Sequence, residues 1–349
     1  MIYFDTASAG IISEKALDAL NAFNSRMSKN PSLNSLEFRN NELVELRKAI
    51  SHFSGCTEEE FAFIPNVSFG LNAFLMALRE IDRVLFYDQE FNALKMPFDL
   101  RNYQVHTFKD IDGFHWDTEK VKELLIEKKA QLFIFSETQW LTGYRCEAEE
   151  LCRFCKEQGI LSIMDITQSL GSMSFSFKDS NADVVLCSNY KWMNAGFGSG
   201  IMWMKKHILE RYQPLLAGYN SAAPDFDFEN FEPSIKCYEP GHLNLHALLV
   251  LFESINEKLT LGVKNIENHN KNLVEQFIAG VKEMGYSLLG DSQKRSSIAV
   301  LRSKSGLKKF LEEQNIICQE RNSCIRFGFH YHNTREEVQK CLEALNTFT

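Results

Sequence analysis

The chain has 349 residues, 44% of them hydrophobic, enough to bury a sizeable core and of a length that suits one large domain with a smaller one. Lys plus Arg number 38 against 46 Asp plus Glu, a formal charge of −8, so a general attraction to nucleic acid or to an anionic membrane is not expected and any bound anion must be held by local groups. Nine scattered cysteines, an odd number, do not resemble a disulfide framework, and no run of about eighteen apolar residues or basic-then-apolar leader occurs, so the expectation is a cytoplasmic protein without a membrane segment.

In chain order, Thr57-Glu-Glu-Glu60 reads as a capping box and Gly70 to Glu80 as an amphipathic helix. Short apolar runs then alternate with amphipathic stretches as far as about residue 205, the pattern of strands joined by helical crossovers. The strands expected are 83–87, 131–135, 160–164, 184–187 and 200–204, buried and mostly parallel. Between them, Leu151, Phe154 and Cys155 recur at helical spacing, with Gly159 as the C-cap. Residues 215 to 241 hold several Pro and Gly around an acidic, aromatic stretch and read as a long loop. A helical pattern runs from about 243 to 285, followed by a strand at 297–301, a helix near 306–313, a strand around Ile325 and a last helix capped by Thr334-Arg-Glu-Glu337.

Two metal-like spacings have plainer explanations. Cys152 and Cys155, with Cys146 nearby, match a redox or zinc spacing, but a structural zinc wants four ligands and no second pair follows, so core packing is the expected role. His242 and His246 could share a helix face but lack a carboxylate partner in sequence, and no metal is expected. The stronger constellation is Asp165 at the carboxyl end of one buried strand and Lys191 just after the next, because open parallel sheets place ligands at those ends.

Lys191 lies in Cys187-Ser-Asn-Tyr-Lys-Trp-Met-Asn-Ala-Gly-Phe-Gly-Ser-Gly200, which resembles the lysine motif of the class V aminotransferase superfamily, enzymes of pyridoxal 5′-phosphate (PLP) fold type I, and is especially similar to kynureninases. The resemblance extends in order along nearly the whole chain. It implies PLP held as an imine on Lys191, with Asp165 keeping the pyridine nitrogen protonated so that the ring can take up carbanion electrons. Asn66-Val-Ser-Phe-Gly-Leu-Asn72 looks like the phosphate cup, implicating Val67, Ser68 and Phe69, and Ser188 and Tyr190 are similar to further phosphate contacts. Phe91 occupies the place of the aromatic residue that stacks on the cofactor ring; Trp140-Leu-Thr-Gly143 resembles the loop beside the ring oxygen, which Gln168 would hydrogen-bond. Kynureninases prefer His at that last place. Cys324-Ile-Arg-Phe-Gly-Phe-His-Tyr-His-Asn-Thr334 is similar to the C-terminal signature, in which Arg326 would grip the substrate α-carboxylate; Arg321 matches a second recurrent arginine.

His242 stands where relatives place a threonine that reaches the phosphate of the neighbouring subunit. Asp5-Thr-Ala-Ser-Ala-Gly10 looks like the family's N-terminal arm. The resemblance therefore implies an α/β fold with a seven-stranded, mainly parallel sheet in a large PLP-binding domain (15–245), a small α+β domain (1–14 plus 246–349), a homodimer, and a small amino acid as substrate. Class V aminotransferase-like chemistry is the broad expectation. The alternatives are a kynureninase-type C–C lyase, an amino-acid epimerase, a desulfurase or selenocysteine lyase-like enzyme, and an inactive PLP-binding homologue. Cys318 and Cys324 read as strand residues rather than as the loop cysteine a desulfurase needs.

Overall fold

The computed structural model describes residues 1–221, 234–290 and 294–348. The chain opens with a short strand, β1 (Ile2–Tyr3), and three helices, α1 (Glu14–Met27), α2 (Pro31–Asn40) and α3 (Glu42–Ser54). An α/β series follows: β2 (Phe61–Ile64), α4 (Val67–Leu75), β3 (Arg83–Tyr87), α5 (Asn92–Asp99), β4 (Gln104–Phe108), α6 (Thr118–Glu127), β5 (Leu132–Ser136), α7 (Ala148–Gln158), β6 (Leu161–Asp165), β7 (Val184–Ser188), β8 (Gly200–Met204) and α8 (Lys206–Arg211). The last part contains α9 (Leu245–Leu261), α10 (Val263–Glu283), β9 (Ile298–Arg302), α11 (Leu307–Glu313), β10 (Ile316–Ile317), β11 (Gln319–Arg321), β12 (Cys324–Gly328) and α12 (Arg335–Thr347).

Strands β2 to β8 form one seven-stranded sheet in the order β2-β8-β7-β6-β5-β3-β4, and β8 runs antiparallel to both of its neighbours. Side chains alternate between its faces as strand geometry requires: Phe133 and Phe135 join a core with α1, α3, α7 and α9, while Leu132 and Ile134 join one with α4 and α5 on the opposite face. Both faces are covered, which explains why β5, β6 and β7 are wholly buried apolar runs. A three-stranded antiparallel sheet, β11-β12-β9, packs with α10 and α12 around a separate core, and β1 pairs in parallel with β10, so the first residues of the chain sit beside the last part.

All five expected strands form, within one residue of their expected ends. Other expectations need correction. Thr57 and Glu60 do pair, Glu60 accepting from the Thr57 N–H at 2.9 Å, but they close a single 3-10 turn (Glu58–Glu60) rather than a helix. The helix expected at 70–80 lies at Val67–Leu75, because Asn66 caps it earlier by accepting from the Phe69 N–H. The pattern from 243 to 285 is two helices, broken at Gly262, whose φ of +80° ends α9. Cys318 lies between β10 and β11, not within a strand. Of the long segment 215–241, residues 222–233 fall outside the described residues; Tyr219–Ser221 and Ile235–Tyr238 are 3-10 turns. No helix among the described residues is long and apolar enough to cross a membrane.

Candidate active site

Strand register brings the reactive side chains together. Ser136 pairs with Asp165 at the ends of β5 and β6, and Ser188, at the end of β7, pairs with Gly200. A cavity of about 650 Å³ opens over these ends, lined by Ser68, Phe91, Trp140, Asp165, Tyr190 and Lys191 among others. It is the crevice at strand carboxyl ends that open α/β sheets use for ligands.

Asp165 is buried, and one carboxylate oxygen accepts from the Thr167 N–H at 2.7 Å. Burial raises its pKa, opposed by the Thr167 hydrogen bonds and by the Lys191 charge. Lys191 is also buried; its Nζ lies 5.5 Å from the centre of the Phe91 ring and 5.6 Å from that of Tyr190. Among the described residues it has no hydrogen-bond or ion-pair partner. Burial, followed by the Arg326 guanidinium, lowers its pKa to about 8, which leaves an appreciable fraction as free amine near neutrality.

At the other end of the cavity the start of α4 is only partly satisfied. The Val67 N–H donates to Ser188 Oγ at 3.0 Å and the Phe69 N–H to Asn66 Oδ1 at 2.9 Å, which leaves the Ser68 N–H and hydroxyl for an anion. Ser188 keeps its hydroxyl proton to donate. The Phe69 side chain is turned away into a separate concavity of about 350 Å³ that it shares with His242, and exposed His242 stands 5.6 Å, ring to ring, from Tyr219. Those two residues do not meet Lys191 in this chain, although Gly198 borders both concavities.

Phe91 and Trp140 stand edge to face at 5.7 Å, and Tyr190 stacks on Phe197 at 4.9 Å, so the walls are aromatic. Gln168 faces the cavity, but much of its amide is in use: Oε1 accepts from Trp192 Nε1 at 2.8 Å and Nε2 donates to the Ala7 carbonyl at 3.1 Å, leaving one N–H for a ligand. Arg326 is only 3% exposed; it donates to the Trp140 carbonyl and to Ser8 Oγ at 2.7 Å, with Asp5 Oδ1 at 3.7 Å. Its desolvation lowers its pKa to about 10. Arg321 is exposed, with its guanidinium carbon 5.9 Å from the Trp140 ring centre.

Four residues have roles that only the fold shows: Glu90, and Asp5, Ser8 and Gly10 of the N-terminal arm. Glu90, 2% exposed, accepts from the N–H groups of Phe91 and Ser136, from Ser136 Oγ and from Gln139 Nε2, tying together the loops that carry Phe91 and Trp140. Asp5 and Ser8 hold Arg326, and Gly10 crosses the Lys191 turn so closely that a Cβ there would lie 1.9 Å from the Lys191 carbonyl oxygen. An acidic residue beside Phe91 carries no chemical signature of its own, and the resemblance marked the arm without its contacts, so only the folded chain reveals these roles.

The residues fit a flat, anionic, nitrogen-bearing ring. A buried carboxylate, a buried unpaired amine and the donors of Ser68 lie around one aromatic-walled cavity, and the carboxylate lacks a cationic hydrogen-bond partner of its own. Metal binding has no such support: among the described residues no three His, Cys, Asp or Glu side chains are grouped to hold an ion, and Cys152 and Cys155 sit in the core on α7. His246 packs against Phe23 at 5.2 Å.

Comparison with known proteins agrees with this geometry. A probable cysteine desulfurase of Pyrococcus abyssi (strain GE5 / Orsay) is 22% identical over 99% of this chain and 93% of its own length. A kynureninase of Debaryomyces hansenii is 25% identical over 87% of this chain and 78% of its own. The solved apo structure of cysteine desulfurase from Thermococcus onnurineus NA1 superposes with a TM-score of 0.85 at 20% identity, covering 99% of this chain and 94% of that one, which shows the same fold. The family Aminotransferase class-V matches residues 2–341, and the chain therefore belongs to the class V aminotransferase family.

Proposed function

We propose that this chain is a PLP-dependent enzyme acting on a small amino acid, with Lys191 as the attachment point and base and Asp165 as the partner of the ring nitrogen. The observation that carries this reading is the pair itself: a buried carboxylate and a buried, unpaired amine facing one cavity from adjacent strand ends. When bound, PLP supplies an electron sink for the pair left at the substrate Cα. The chain's own residues supply the rest. Asp165, kept from water, favours a protonated nitrogen opposite it; Ser68, Ser188 and Tyr190 form the anion end, with the Val67 N–H holding Ser188 Oγ; Phe91 and Trp140 wall the ring. Lys191, with its pKa near 8, can lose its proton at neutral pH and then accept one from Cα, a contribution worth about 10²–10⁴-fold.

Arg326 is the candidate clamp for the substrate carboxylate, which would compete with Asp5 and Ser8 for the guanidinium, with Arg321 at the rim. Gln168 has one donor left for the ring oxygen. A sulfur-accepting cysteine is not supported: none of the nine cysteines lines the cavity, and Cys318 and Cys324 are buried in or beside the small sheet. The domains we propose are residues 15–245 and 1–14 plus 246–349, in a cytoplasmic homodimer that sets His242 and Phe69 toward a second subunit's phosphate site. The test is the visible absorption of the PLP-loaded protein, before and after borohydride, beside Lys191→Ala. A band fixed by borohydride in the wild type and lacking in the variant supports the reading; the same spectrum in both refutes it.

A further inference from the structure

Among the described residues the Lys191 side chain makes no hydrogen bond or ion pair, so its place is set by the turn that carries it. That turn is held from several sides. The Lys191 carbonyl accepts from the Asn194 N–H at 2.9 Å, and the Tyr190 carbonyl from the Gly10 N–H at 2.7 Å. His330 Nε2, on the segment after β12, lies 2.9 Å from the Trp192 carbonyl oxygen and 2.8 Å from Asn194 Oδ1. The Met193 carbonyl accepts from Ser254 Oγ and from Lys258 Nζ at 3.1 Å, both on α9. Asn194, at φ +56°, joins these supports: its Oδ1 accepts from Lys258 Nζ at 3.0 Å, and its Nδ2 donates to the Ile11 carbonyl at 3.0 Å.

Lys258 is the unexpected member. It is fully buried, yet no carboxylate lies within ion-pair distance of its Nζ among the described residues; Glu257 on the same helix is hydrogen-bonded by the Tyr331 hydroxyl instead. Its three polar contacts are neutral oxygens, of Met193, Asn194 and Ser254, and the Tyr331 ring centre is 5.0 Å away. An unpaired ammonium in a core opposes folding, and a methionine would fill similar space without that penalty. Removing the amine would orphan no acceptor on the turn, because Met193 O keeps Ser254 and Asn194 Oδ1 keeps His330. What the amine adds is therefore specific to the turn beside Lys191.

We infer that Lys258 is a positioning residue for Lys191: it pins the Met193–Asn194 turn to α9 and, through Asn194 and His330, couples that turn to the segment following β12. This rests on Lys191 carrying PLP, and the experiment separates the two ideas. Lys258→Met and wild type are loaded with PLP, with Lys191→Ala as control; melting temperature, the pH midpoint of the visible absorption and the rate of PLP loss to a scavenger are measured. The expected result is a folded variant melting within a few degrees of wild type, its midpoint moved by about one pH unit, a tenfold change in proton affinity, and PLP lost about tenfold faster. Unchanged midpoint and loss rate in a folded Lys258→Met, with a wild-type band that depends on Lys191, overturn the positioning role alone. A wild-type band that persists in Lys191→Ala overturns both. If Lys258→Met does not fold, Ser254→Ala, which deletes the hydroxyl that touches both Lys258 Nζ and Met193 O while their direct contact remains, must show the same shifts at smaller amplitude; wild-type values there overturn the inference.

Discussion

The buried amine of Lys258 sets a pH dependence of stability that can be worked out from its surroundings. Burial lowers its pKa from 10.5 to about 7, with Glu257 opposing. Between those values an unfolded chain carries a proton at this position that the folded chain has released, so stability rises with pH across that window; below pH 7 both states hold the proton and the penalty is constant. The full span corresponds to about 5 kcal/mol, and about 3 kcal/mol of it falls between pH 7 and 9. The neighbours do not blur the signal. His330 and His332, on the segment after β12, are both held below the ordinary histidine range, the latter to about 4, so they stay neutral through the window. Lys191 is present in wild type and variant alike, and the one-unit shift expected for it in the variant adds no more than about 1.4 kcal/mol to the difference. Urea unfolding of PLP-loaded wild type and Lys258→Met from pH 6 to 9 should show the wild type gaining about 3 kcal/mol on the variant above pH 7 and nothing below it. A difference that stays flat across that range would mean that water reaches the amine, and the account of its burial would be wrong.

Two further outcomes follow from the arm. Gly10→Ala places a methyl 1.9 Å from the Lys191 carbonyl oxygen and 2.9 Å from Asn194 Nδ2, so the arm has to lift; a stability loss of about 1–3 kcal/mol and faster PLP release are expected, and an unchanged melting temperature would contradict the close approach. Asp5→Asn removes the charge 3.7 Å from Arg326, an attraction of about 4 kcal/mol at the effective dielectric of partly buried pairs, of which the Ser8 and Trp140 contacts remain to satisfy the guanidinium. Amino-acid titrations followed by PLP absorbance should then saturate at about five- to tenfold lower concentration, whereas weaker binding would mean that Asp5 orients Arg326 rather than competing with the substrate.

The sequence exposed the parts of the fold whose signal is local. Strands β5 to β8 are continuous apolar runs because both faces of the sheet are covered, and each was legible within a residue. By contrast β4, at the sheet edge, reads Gln-Val-His-Thr-Phe with only Phe108 buried, and α1 to α3 bury few side chains each, so neither stood out. The break at Gly262 was hidden because one glycine in an otherwise periodic stretch is tolerated by a helix. At the site, Asp165 and Lys191 were visible through their strand-end positions and their motif. Glu90, Asn194, Lys258 and His330 were not, because what they do depends on contacts between residues up to 183 positions apart, such as Asn194 with Ile11.

The pairing of Ile2 with Ile316, and of Asp5 with Gly328, bears on the order in which the molecule is made. A ribosome releases the arm well before the strands that receive it. Until those strands emerge, Ser8 cannot meet Arg326. The large sheet can assemble during synthesis, while the reactive lysine gains its final surroundings only after β10 and β12 have been translated.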